Sequence, residues 1–264
     1  MTTIGFSQQI KRAWLDFMVQ RKLEGLPTAK IRASVDEFLS DKISVGNTSR
    51  RNSRQKAISI LSKIWLKVPK SHESFRDEGL ALFEHLHENS YIVLHWGTAM
   101  AAYPFFAIVA ENVGRLLRLQ NEVSVTQLQK RLREKMGERE TVARAARQVM
   151  RSWADWGLLK ETGKKGVYAA PDLHSVNDAR LTSWLLESAL IASDGETAVL
   201  DHLVNYTPAL FPFNLSKGYF IPNERLETFS QGVSEVSVTF NHYHQNQDSP
   251  IKTKATGIIK SSGY

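Results

Sequence analysis

Apolar residues recur at three- and four-residue steps along most of the chain, the mark of amphipathic helices. Phe6, Ile10, Trp14, Phe17, Met18 and Leu23 predict a helix over residues 6–25, ended by Gly25 and Pro27. Ile31, Val35, Phe38 and Leu39 predict a second from Thr28 to about Ile43. Thr48 or Ser49 caps a third, to about Val68, with Ile58, Leu61, Ile64 and Trp65 on its inner face. Three helices joined by short turns make a trihelical unit over residues 1–70. Pro69 breaks the chain, and Phe75, Leu80, Leu82, Phe83 and Leu86 predict a helix over 73–87. Residues 89–110 contain no Asp, Glu, Lys or Arg, a length that reaches across a bilayer. Asn89, Ser90, His95 and Thr98 interrupt that stretch, and Pro104 suits a helix start, so a buried pair over 91–102 and 104–119 is expected instead of a membrane span. Residues 71–103 then serve as connecting helices.

The segment 104–172 carries the sharpest pattern. A helix through Phe105, Ile108, Val109, Val113, Leu116 and Leu117 ends near Asn121. A second, capped by Ser124 or Thr126, carries Val125, Leu128 and Leu132 and stops at Gly137. A third runs from about Arg139 to Trp156 and stops at Gly157, and KETGKKGVYAA then turns at Gly163–Gly166 as a basic hairpin. That is the order of a winged helix-turn-helix. Beyond Pro171 the pattern weakens to an α+β region over 173–240. Helices are expected over 178–192 and 196–204, and a strand over 218–221 paired with one over 233–240, where Val236, Val238 and Phe240 alternate. Residues 241–264 are expected to form a flexible tail. The fold class is therefore mainly α, with the trihelical unit, the winged segment and a smaller α+β region.

Helical geometry divides the third helix of the winged segment into two faces. Val142, Ala146, Val149, Trp153 and Trp156 fall on one side; Arg144, Arg147, Gln148 and Arg151 fall on the other, with Arg139 and Thr141 near the entering end. Arg and Gln carry the paired donors and acceptors that match guanine and adenine edges in the major groove. Lys164 and Lys165 at the hairpin tip are placed to reach phosphate or the minor groove. The plainer alternative is a solvated face in which the arginines pair locally with Glu140 and Asp155.

Charge is segregated along the chain. The net charge is +7, but residues 1–70 hold 14 basic against 5 acidic side chains and residues 115–172 hold 13 against 7, while 71–114 and 173–264 are net acidic. A polyanionic partner accounts for such blocks. The N-terminal cluster TSRRNSRQK sets Arg50, Arg51, Arg54 and Lys56 in the first turns of a helix, where the dipole disfavours cations by a few tenths of a kcal/mol each. Phosphates favour them there through counterion release; a tolerated basic helix start is the alternative.

The 264 residues have an ordinary balance of 42% apolar and 23% charged, which excludes wholesale disorder. The absence of cysteine excludes disulfide scaffolds, Cys zinc sites and thiol nucleophiles. No phosphate-binding loop, dinucleotide turn or nucleophile elbow occurs. His85 and His87 would not share a helical face, and His242 and His244 sit at the edge of the tail, so neither a metal nor another cofactor is expected. The start MTTIGFSQQIKR shows no secretory pattern, and a cytoplasmic, non-enzymatic protein is expected.

Taken together, the trihelical unit with TSRRNSRQKAISIL, the apolar segment HWGTAMAAYPFF and the winged stretch ending SWADWGLL resemble, in organisation over about residues 28–168, the BrxA-type small DNA-binding proteins of BREX phage-defence systems. That resemblance implies a helical protein that binds duplex DNA and works beside larger defence enzymes such as a methyltransferase and an ATPase. Residues 173–264 have no counterpart in it. The reading from another class is an interaction or scaffold subunit whose helical folds hold other proteins of a defence or regulatory complex.

Overall fold

The computed structural model describes residues 4–43, 48–193, 195–231 and 235–241, with the backbone alone for 48–52. It is mainly helical with a few small sheets. Lys11 is still extended, and α1 spans Arg12–Leu23, so the expected start at Phe6 is corrected. Phe6 and Ile10 are fully buried all the same. A spacing of four residues fits both the helical and the extended period, so these two alone did not distinguish a first helical turn from a strap. The strap is fixed by docking. The Phe6 ring meets Tyr103 edge-on at 5.5 Å and lies 5.8 Å from Phe106.

Helices α2 (Thr28–Phe38) and α3 (Thr48–Trp65) pack with α1, and Phe17 stacks on Phe38 with centroids 4.1 Å apart. After Pro69 a single 3-10 turn leads into α4 (Glu73–Phe83). Helices α5 (Tyr91–Ala102) and α6 (Pro104–Gln120) meet at a bend of 117°, and Pro104 takes the first helical position, which needs no N–H donor. Among the described residues no single helix is long and apolar enough to cross a membrane. Residues 92–100 of α5 are all buried, its apolar surface covered by protein.

Strand β1 (Glu122–Ser124) follows α6, then α7 (Val125–Met136), α8 (Glu140–Asp155), β2 (Lys160–Glu161) and β3 (Val167–Ala169). The three strands form an antiparallel sheet in the order β1-β3-β2, with Val123 opposite Tyr168. Further along come β4 (His174–Ser175), α9 (Ala179–Ser193), β5 (Thr197–Val199), α10 (Leu200–Tyr206), β6 (Phe213–Asn214), β7 (Leu226–Gln231) and β8 (Glu235–Phe240). Strand β4 pairs in parallel with β6, and β5-β8-β7 form an antiparallel sheet.

Two expectations fail in this part. The helix expected over 196–204 is divided into β5 and a shorter α10 that begins at Leu200. Lys217–Tyr219 form a 3-10 turn held by the Ser216 hydroxyl, which accepts from the Gly218 N–H, so residues 218–221 do not make a strand. The partner of β8 is β7, started where Asn223 Oδ1 accepts the N–H groups of Arg225 and Leu226. Over residues 226–230 of β7 only Leu226 is buried, which is why its pattern is faint. The expected tail over 241–264 lies outside the described residues apart from Asn241, as do His242 and His244. A contiguous apolar core runs from Phe6 to Val238, with Trp65, Trp96, Trp153 and Trp184 among its largest fully buried members.

Candidate nucleic-acid interface

Helix α7 is set by its first residue. The Ser124 hydroxyl accepts from the Gln127 N–H at 3.1 Å and the Gln127 side chain accepts from the Ser124 N–H at 2.9 Å, a reciprocal cap. Gly137 at φ +81° turns the chain sharply out of α7, and α8 begins three residues later. Gln129, buried in α7, donates to the Ala143 carbonyl at 2.8 Å and ties the two helices together.

Helix α8 has the division expected of it. Val142, Ala146, Val149 and Trp153 are fully buried, and Trp156 follows just past its end. Arg139, Thr141, Arg144, Arg147 and Arg151 are exposed and Gln148 is half-buried. Arg144 donates to Glu140 at 2.8 Å, one turn away, as the solvated-face alternative requires. Asp155 is used differently. Its Oδ2 accepts the Arg12 backbone N–H at 2.9 Å, and among the described residues neither Arg147 nor Arg151 has a side-chain hydrogen bond or ion pair.

The end of α8 that carries Arg151 is fastened by the strap ahead of α1. Ile10 N–H donates to Ser152 Oγ at 2.8 Å, Trp156 Nε1 donates to the Ile10 carbonyl at 2.9 Å, and Gln9 Nε2 donates to the Arg151 carbonyl at 3.2 Å. None of these three contacts was legible in the sequence, because each joins residues more than 140 positions apart.

Lys164 and Lys165 lie on the turn between β2 and β3, where Gly163 and Gly166 both have positive φ. Lys164 stands 3.7 Å from Glu122 across the sheet, and Lys165 is exposed. Tyr168 on β3 is buried, which raises its hydroxyl pKa; Glu161 adds to that rise and Arg151 opposes it.

The second basic cluster lies on α3. Arg50 and Arg51 are in its first turn, Lys56 is exposed, and Arg54 is 2.9 Å from Asp36 of α2, so its charge is partly neutralised. Ser53, among these residues, accepts from Gln8 Nε2 of the strap at 3.4 Å.

No family model, curated protein or solved structure matches this chain. Among the described residues no three His, Asp or Glu side chains converge to hold a metal ion. His95, fully buried in α5, accepts at Nδ1 from Trp65 Nε1 at 3.1 Å and faces Asp16 at 2.8 Å through Nε2. Burial lowers its pKa, Asp16 raises it, and burial dominates, so the ring is held neutral in a core hydrogen-bond chain. Glu187 of α9 is likewise buried, with its pKa raised by burial against the bidentate Arg225 guanidinium at 2.7 and 2.9 Å. The first arrangement joins α1, α3 and α5, and the second joins α9 to the residue ahead of β7.

Proposed function

We propose that this chain is a duplex-DNA-binding protein in which α8 enters the major groove, and that it acts by binding rather than by catalysis. The observation that carries the reading is the outer face of α8: Arg144, Arg147, Gln148 and Arg151 in one row, with Arg147 and Arg151 left without a carboxylate although Asp155 lies on the same helix. Arginines whose side chains have no hydrogen bond or ion pair within the protein are available to guanine edges and phosphates. The element order from α6 to β3, with the β1-β3-β2 sheet, supports a winged helix-turn-helix arrangement, in which Lys164 and Lys165 at the turn contact the backbone beside the groove. Arg50, Arg51, Arg54 and Lys56 act as phosphate anchors, Arg54 the weakest because Asp36 already holds it. On the resemblance in organisation to BrxA-type proteins, we further propose a role as an accessory component of a phage-defence system.

The test is fluorescence anisotropy with duplex DNA across a salt series. Affinity should fall steeply with salt, and an Arg144→Ala/Arg147→Ala/Arg151→Ala variant with unchanged circular dichroism should bind at least about tenfold more weakly and discriminate less between duplex sequences. Absence of binding at about 50 mM salt would overturn the reading.

One observation favours a protein-interaction role as a second reading. A cleft of about 310 Å³ between α6, α10 and the segments around β4 and β6 is lined by Leu117, Leu173, Leu210 and Phe211, and Leu173 is 57% exposed. Retention of partner proteins that a Leu173→Asp variant no longer retains would support it.

A further inference from the structure

The cleft between α6, α10 and the segments around β4 and β6 joins apolar walls to a single cation. Leu117, Leu173, Leu210 and Phe211 supply the walls; Arg118 is the one charged side chain among the described residues that line it, and no Asp or Glu does. We infer that this cleft is a binding site for a small amphipathic carboxylate, an acid whose apolar body fills the walls while its carboxylate pairs with Arg118. The inference does not rest on the DNA-binding reading. A side chain of a partner protein is the competing occupant of the same cleft.

Arg118 lies in the last turn of α6 and is exposed. Its guanidinium donates to the Asn205 carbonyl at 3.2 Å and to the Tyr206 carbonyl at 3.3 Å, at the end of α10. These bonds use two of the five N–H donors of an arginine and hold the group at the cleft, so less side-chain freedom is lost when a ligand arrives. Arg115, one turn earlier, is answered by Glu111 at 2.6 Å, whereas Arg118 has no carboxylate partner among the described residues. The walls are formed in advance. The 3-10 turn Pro208–Leu210 packs so closely on α6 that a Cβ at Gly114 would collide with the Pro208 carbonyl. Phe211 stands 5.6 Å from Trp96 and 5.8 Å from Trp153, both fully buried. At about 30 Å³ for each non-hydrogen atom with its hydrogens, a cleft of about 310 Å³ takes about ten such atoms. Octanoate has that size and that chemistry.

The test titrates the full chain with octanoate, octan-1-ol and octylammonium by isothermal calorimetry, up to about 2 mM. Octanoate should bind with a Kd of about 1 mM or below, about fivefold more tightly than octanol, and octylammonium should bind most weakly because Arg118 repels it. Arg118→Gln, with unchanged circular dichroism, should bring octanoate to the level of octanol and leave octanol where it was. Leu173→Asp sets a carboxylate on the wall and should weaken octanoate at least about tenfold. Absence of octanoate binding over that range overturns the inference, as does octanoate binding that survives both substitutions, since it would then lie elsewhere on the protein. Equal affinity for the three probes also overturns it, and leaves an apolar cleft of the kind a partner's side chain fills.

Discussion

Helices α8 and α9 have almost the same length, 16 and 15 residues, and treat charge in opposite ways. In α9 every residue from Leu181 to Leu190 is buried, Trp184 stacks on Phe75 at 4.5 Å, and the charged side chains are answered inside the molecule. Glu187 is held by Arg225 and Arg180 by Glu78 at 2.6 Å. In α8 one face is equally well buried, but Arg147 and Arg151 on the other have no such answer among the described residues. A charge matched internally supports the fold, and its loss is felt as instability. A charge left outward contributes little to stability, and its loss is felt, on the proposed reading, only by a partner.

The sharpest way to break this contrast is at Glu187. Arg225→Ala strands a buried carboxylate, and unfolding in urea should show a loss of about 3 kcal/mol; a loss below about 0.5 kcal/mol would show that α9 tolerates an unanswered charge as α8 does. Close packing of the core gives the next effect. A Cβ added at Gly114 would collide with the Pro208 carbonyl, a backbone atom that cannot swing aside, so Gly114→Ala should cost about 1–3 kcal/mol. Ser152 joins the comparison because its hydroxyl takes the Ile10 N–H on the inner side of α8. Ser152→Ala leaves that donor unsatisfied and should cost about 1–2 kcal/mol, read from the same urea curves.

His95 adds a pH dependence. Its pKa is lowered in the folded protein, so the unfolded chain binds the proton more readily. The contribution to stability is complete above the ordinary histidine value and is lost as pH falls below it. The denaturation midpoint should therefore drop between about pH 7.5 and 5.5, and less so in His95→Gln. The smallest effect belongs to the outer face of α8: Arg147→Ala/Arg151→Ala should move stability by no more than about 0.5 kcal/mol. A large loss there would mean that these arginines serve the fold, and would remove the contrast with α9.

Much of the helical scaffold was legible because burial repeats at the helical period. The boundaries of α5 and α6 follow Pro104 and the uncharged run before it; α7 follows Ser124 and Gly137; the faces of α8 follow the spacing of Val142, Ala146 and Val149 against Arg144, Arg147 and Arg151. The strap was misread because Phe6 and Ile10 satisfy two periods at once. Strand β7 was missed because only Leu226 among residues 226–230 is buried, which leaves almost no pattern to show. The candidate residues of α8 were named from the sequence, but their availability was not. Whether Asp155 pairs with an arginine or with the Arg12 backbone depends on a segment 143 positions earlier in the chain.

The sequence alone determined which segments of most of the chain are helical and which of their faces are apolar, because these follow from residues a few positions apart whose capping, propensity and spacing act locally. Tertiary structure decided which charges are consumed and which remain. Glu187 meets Arg225, Gln8 meets Ser53 and Gln9 meets Arg151 only after the chain has folded back on itself, since a hydrogen bond or an ion pair needs approach within about 3 Å, and sequence separation says nothing about that distance.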